Sequence, residues 1–125
     1  MAKKILVVDD EENMVEMIKD RLEANGYEII TAYDGLQALR KANLEAPDLM
    51  VLDVMMPKLD GFSLAKMLRD DELLHNKQHL PILMLTARTG DKEETAGFAA
   101  GTNVYLKKPF EPQQLLAEIK KLLGE

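Results

Sequence analysis

A chain of 125 residues is about one domain long, enough to bury roughly two-thirds of the surface it exposes when unfolded without disulfides or a structural metal. It has no cysteine, which excludes disulfide frameworks, thiol catalysis and Cys-based zinc sites. Sixteen basic against twenty-two acidic residues leave a net charge of −6, a balance that repels nucleic-acid backbones and anionic lipid.

In chain order, the apolar run Ile5 to Val8 reads as a buried strand, continuous, rich in β-branched residues and too short for a helix. The four acids Asp9, Asp10, Glu11 and Glu12 follow it directly. Glu12 to Ala24 then carries Met14, Val15, Ile18 and Leu22 at helical spacing, with Asn25-Gly26 as its stop. Glu28 to Ala32 is a second strand. Asp34 and Gln37 have capping-box spacing at the head of a helix whose apolar positions are Leu36, Leu39 and Ala42, ending before Pro47. Leu49 to Leu52 is a third strand, apolar at every position as a central parallel strand is.

The Pro57 and Asp60-Gly61 punctuation predicts a turn before a helix over 62–68. The polar stretch Asp70 to Leu80 reads as a surface connection. Pro81 to Leu85 is a fourth strand, Asp91 and Glu94 open a helix interrupted by Gly97 and closed by Gly101, and Val104 to Leu106 is a fifth strand. Pro112 suits a first helical turn, and Leu115, Leu116, Ile119, Leu122 and Leu123 stripe the last helix. Five β/α repeats in alternation predict an α/β fold: one doubly wound parallel sheet with helices on both faces. No apolar run approaches the ~20 residues that span a bilayer, and the Met1-Ala2-Lys3-Lys4 start is unlike a signal peptide, so the expected compartment is the cytoplasm.

Ligands of open parallel sheets bind beyond the carboxyl ends of the strands, where strand order reverses. Asp9 and Asp10 follow the first strand, Asp53 ends the third, Thr86 the fourth, and Lys108 follows the fifth. Three carboxylates brought together repel one another unless a cation offsets them. An oxygen-only set suits a hard cation, and Mg²⁺ matches best. A Lys adds a point charge for phosphate and a Thr hydroxyl one more donor, so the set describes phosphoryl transfer with a carboxylate nucleophile. Each residue also has a plainer reading. Glu11 and Glu12 fit a helix start favoured by the macrodipole, and Asp9 and Asp10 taken alone fit a helix cap equally well. Thr86 alone fits a turn hydroxyl, and Lys107-Lys108 a solvated pair. Asp53, at the mouth of a strand of apolar residues, is the hardest to explain as a cap.

With these residues in place, the chain resembles the receiver domain of two-component response regulators, the CheY-like family, over essentially all of its length. The matching segments are Lys4 to Asp10 (KILVVDD), Pro47 to Pro57 (PDLMVLDVMMP), Asp60-Gly61, Pro81 to Ala87 (PILMLTA) and Tyr105 to Phe110 (YLKKPF). The resemblance implies a flavodoxin-like (βα)5 fold with strand order 2-1-3-4-5, and a single receiver domain over residues 1–125. It implies that Asp53 accepts a phosphoryl group from a histidine kinase's phosphohistidine. By the same resemblance Mg²⁺ is held by Asp10, by Asp9 through water, by Asp53 and by the backbone carbonyl of Met55. Lys108 and Thr86 contact the phosphoryl group, and Thr86 and Tyr105 form a switch pair that biases a surface of the fourth helix, fifth strand and fifth helix. The family is a signalling switch rather than an enzyme, catalysing only its own phosphotransfer and autodephosphorylation.

The implied partners are a sensor histidine kinase or phosphotransfer protein as donor and, downstream, a protein partner, an effector domain absent from these residues, or a second copy of the chain paired on phosphorylation. Neither nucleic acid nor membrane is an expected direct partner of so acidic a chain. Val104 departs from the polar residue frequent before the family's tyrosine. Met55 and Arg88 sit where bulky side chains hinder the hydrolytic water, so the phosphorylated form is expected to last longer than seconds. Two other classes fit less well. A haloacid-dehalogenase-type phosphatase needs a second acid two positions after the nucleophile, where Met55 stands. A flavodoxin-like electron carrier needs a glycine- and hydroxyl-rich phosphate loop where the four acids stand.

Overall fold

The computed structural model describes residues 3–53, 80–86, 104–107 and 110–125. Their elements run β1 (Lys4–Val8), α1 (Glu12–Glu23), β2 (Glu28–Ala32), α2 (Gly35–Glu45), β3 (Leu49–Asp53), β4 (Ile82–Thr86), β5 (Val104–Lys107) and α3 (Pro112–Leu122). The helix expected over 62–68, the one opened by Asp91, and most of the connection from Asp70 to Leu80 lie outside the described residues.

The five strands form one sheet in the order β2-β1-β3-β4-β5, and every neighbouring pair is parallel. That is the order the family resemblance implies. The chain steps from β1 outward to β2 and then crosses back to β3, so strand order reverses between β1 and β3.

Side-chain alternation divides the core in two. Leu6 and Val8 of β1 and Met50 and Leu52 of β3 pack with Ala38 and Ala42 of α2 on one face. Ile5 and Val7, with Leu49 and Val51, pack on the other against Val15, Ile18 and Leu22 of α1 and Leu115 and Ile119 of α3. Period two in the strands meets period 3.6 in the helices, and both stripes close on the sheet. All five residues of β3 are buried, as its uninterrupted apolar pattern requires.

The helix ends follow their local chemistry. Gly26 takes φ +91, with its N–H donating to the Glu23 carbonyl and the Tyr27 N–H to Leu22, the paired bonds that close a helix through a left-handed residue. At α2 the Asp34 carboxylate accepts the Gln37 N–H at 2.8 Å. The return bond reaches one residue further than in a standard capping box, because Gln37 Oε1 accepts the N–H of Tyr33 at 3.0 Å. Pro112 opens α3, and Gln114 Oε1 accepts the Glu111 N–H at 2.8 Å.

Two details of α2 stand out. Leu36 does not face the core but is 56% exposed, because the face of α2 that meets the sheet is set by Gly35, Ala38 and Ala42. Small residues there let the helix lie close, which turns Leu36 outward. The end of α2 is also unusual. Ala46 adopts φ 47 and ψ 60, a left-handed conformation normally left to glycine, since Pro47 bars its neighbour from the helical region.

Candidate functional site

Register places the acids. Val8 of β1 pairs with Leu52 of β3, so the next residues, Asp9 and Asp53, leave the sheet side by side at the point where strand order reverses. Asp53 pairs in turn with Leu85 of β4, and Thr86 at the end of β4 with Lys107 of β5. The backbones of β1, β3 and β4 thus bring Asp9, Asp53 and Thr86 to one edge, as the sequence positions predicted.

Asp9 and Asp53 are buried, at 1% and 5% exposure, while Asp10 is exposed. One carboxylate oxygen from each of Asp9, Asp10 and Asp53 lies within 4.8 Å of the others. The Asp9 N–H donates to the Ala32 carbonyl at 3.2 Å, extending the β1–β2 ladder by one step. Asp9 Oδ1 accepts the Glu11 N–H at 3.0 Å. Asp9 therefore does both things its sequence position allowed, holding the turn into α1 and joining the carboxylate cluster.

Magnitudes show that helix capping does not account for the cluster. A cap is worth about 1 kcal/mol. Two carboxylates near 5 Å apart repel by about 3 kcal/mol in the effective dielectric of a protein edge, and here there are three. Like charge at this density is the setting in which a bound cation is favoured, in a domain with roughly 5–15 kcal/mol of stability in all. The donor set consists of oxygens alone, with two acids fixed by strand ends, and it fits a hard divalent cation.

Among the other expected site residues, Thr86 and Tyr105 have their backbones placed at the end of β4 and within β5, where Tyr105 pairs with Met84. Met55, Arg88 and Lys108 lie outside the described residues. Glu11 and Glu12 sit at the start of α1 as exposed acids, the plain role expected of them.

The carbonyl of Ala32 supports Asp9 without any mark in the sequence. Nothing in its residue type marks it. Only the register of β2 against β1 does, and that register carries no local signal.

Comparison with known proteins agrees with this arrangement. The family model of the response regulator receiver domain matches residues 5–120. The alkaline phosphatase synthesis transcriptional regulatory protein PhoP of Bacillus subtilis is 49% identical over 123 residues, covering 98% of this chain and 49% of its own length. The chain spans about half the length of the curated relatives it matches. Among solved structures, a response regulator of Chloroflexus aurantiacus superposes with a TM-score of 0.91 at 40% identity, all of each chain being covered. The chemotaxis protein CheY4 of Vibrio cholerae superposes at 0.91 and 36% identity, over 98% of this chain and all of its own.

Proposed function

The chain belongs to the response regulator receiver-domain family, the phosphorylation-switched modules of two-component signalling, and from that premise we propose that Asp53 is its phosphoacceptor. The observation that carries this is the meeting of Asp9, Asp10 and Asp53 within 4.8 Å at the strand-order reversal. In the proposed reaction a carboxylate oxygen of Asp53 attacks the phosphorus of a phosphohistidine on a sensor kinase or phosphotransfer protein. A P–O bond forms, the P–N bond breaks, and the imidazole leaves with its electron pair. The donor is already activated, so the chain's work is alignment and charge neutralisation rather than making a strong base.

Asp53 stands at the end of β3, a strand buried at all five positions, which supports its carboxylate at the carboxyl edge of the sheet. Asp9, Asp10, Asp53 and the Met55 carbonyl are the proposed ligands of Mg²⁺, which when bound supplies charge neutralisation for both the carboxylates and the phosphoryl oxygens. Lys108 is the proposed cationic partner of the acyl phosphate and Thr86 its hydroxyl donor. The product adds about −1.5 to −2 of charge, and movement of Thr86 toward it, with Tyr105 following, is the proposed switch of the surface around β5 and α3.

Residues 1–125 act in this reading as one receiver domain in the cytoplasm. Among the described residues no helix is long and apolar enough to cross a membrane. The downstream readout is a partner protein, an effector segment outside these residues, or pairing of two copies. The chain turns over only its own acyl phosphate, and slow hydrolysis is proposed from the bulk of Met55 and Arg88.

Incubation with acetyl phosphate and Mg²⁺, read by intact mass, tests the proposal. The wild-type chain gains one phosphoryl group and Asp53→Ala gains none. A variant that is labelled as fully as wild type overturns the assignment.

A further inference from the structure

The peptide group between Ala32 and Tyr33 is bonded at both ends. Its carbonyl accepts the Asp9 N–H at 3.2 Å, and its N–H donates to Gln37 Oε1 at 3.0 Å. Gln37 is itself held by the bond from its own N–H to the Asp34 carboxylate at 2.8 Å. One peptide plane thus connects the first turn of α2 to a buried acid of the site at the end of β1.

We propose that Gln37 is a positioning residue for Asp9, acting through the Ala32–Tyr33 peptide. A peptide group is planar, so fixing its N–H fixes the direction of its carbonyl. Ala32 is the last residue of β2, and the bond from the Asp9 N–H to its carbonyl is the last step of the β1–β2 ladder. Gln37 restrains the other end of that peptide by reaching back one residue further than a standard capping box. Hydrogen bonds in series through one amide also polarise each other, strengthening the acceptor that Asp9 meets. Asp9 in turn orients the backbone of the acidic turn through Glu11. Sequence spacing identifies Gln37 only as a helix cap, whereas the structure gives it a second function in holding the carboxylate cluster.

The inference rests on the reading of Asp9, Asp10 and Asp53 as a cation site, and its test separates the two. Gln37→Ala, Gln37→Glu and Asn43→Gly are compared with wild type. Asn43 is an exposed residue of the same helix with no part in the peptide bridge, and glycine there weakens α2 without touching Asp9. Two quantities are read: amide hydrogen exchange at Asp9, and Mn²⁺ affinity by titration of the free-ion EPR signal.

The expected result is faster exchange at Asp9 in Gln37→Ala and a fall in Mn²⁺ affinity of about 3- to 10-fold, below the ~10–100-fold typical when a ligand's direct partner is lost. Gln37→Glu, which keeps the acceptor oxygen, restores slow exchange, and Asn43→Gly leaves both readouts at wild-type values. If Gln37→Ala matches Asn43→Gly in both, the positioning role is overturned. If Asp9 exchange responds but the wild type shows no Mn²⁺ binding sensitive to Asp9→Asn, the bridge stands and the cation-site reading falls.

Discussion

The two ends of β1 are built from the same pair of strands and similar residues, yet they do opposite things with charge. At the amino end the Lys4 N–H donates to Asp48 Oδ2 at 2.8 Å, the Asp48 N–H returns a bond to the Lys4 carbonyl at 2.7 Å, and Lys4 Nζ reaches the Glu45 carbonyl at 3.2 Å with its carboxylate 3.8 Å away. Acid meets donor and cation there, and all of it is near solvent. At the carboxyl end, five residues along each strand, Asp9 and Asp53 are buried and crowded together with Asp10. An aspartate on one side of β3 ties strands together, while the aspartate on the other side sets up a concentration of like charge. The contrast fits a division in which the amino end serves stability and the carboxyl end the proposed phosphoryl chemistry.

The largest expected effect separates the two ends by activity. Asp53→Ala removes all labelling by acetyl phosphate, whereas Asp48→Ala, assayed in the same way, keeps the wild-type extent. Labelling that depends on Asp48 breaks the contrast.

Stability then divides them with opposite sign. Removing the Asp48 carboxylate strands the Lys4 N–H and lowers stability by about 1 kcal/mol. Asp53→Asn removes a like charge of similar shape from the cluster and is expected to shift stability upward in chelator at low ionic strength. Urea unfolding of both variants checks the signs. Added salt or Mg²⁺ shrinks the gain at Asp53, by screening in one case and by binding to the folded wild type in the other.

A third change touches neither charge set. Ala46→Gly relieves the left-handed conformation at the end of α2 and adds about 1 kcal/mol, with phosphorylation unchanged. A melting temperature that falls contradicts this account of the turn.

The smallest effect concerns Tyr27. Its hydroxyl donates to Glu125 Oε1 at 2.6 Å, and burial, that bond and the nearby carboxylate charge push its ionisation from 10.0 up to about 12. The raised value means that the folded chain favours the protonated phenol. Its contribution to stability is therefore complete below pH 10 and lost as pH rises through about 12. Tyrosinate absorbance checks this as a late-ionising component absent from Tyr27→Phe.

Much of the fold was legible because β1, β3 and β4 are continuous apolar runs between helix-period segments, and burial on both faces of a parallel sheet leaves that mark in sequence. The last helix was legible from Pro112 and its leucine stripe. Leu36 was misread because periodicity locates an apolar arc but not its centre, which the small residues Ala38 and Ala42 decide by close packing. Ala46 gave no signal, since a left-handed alanine is not favoured by its own side chain.

At the site, Asp9 and Asp53 stood out as acids behind apolar strands. Their adjacency came from strand order, a property of the whole topology. The bridge from Gln37 to Asp9 was beyond sequence reasoning because it depends on which of two neighbouring N–H groups the glutamine reaches.

The central claim is that Asp53 carries the phosphoryl group. The most direct measurement is borohydride reduction of the phosphorylated chain, which converts an aspartyl phosphate to homoserine, followed by peptide sequencing by mass spectrometry. Homoserine at position 53 alone, formed only when Mg²⁺ and donor are both present, is the result predicted here. Homoserine at position 9, 10 or 48, or none at 53 in a chain that has gained a phosphoryl group, contradicts it.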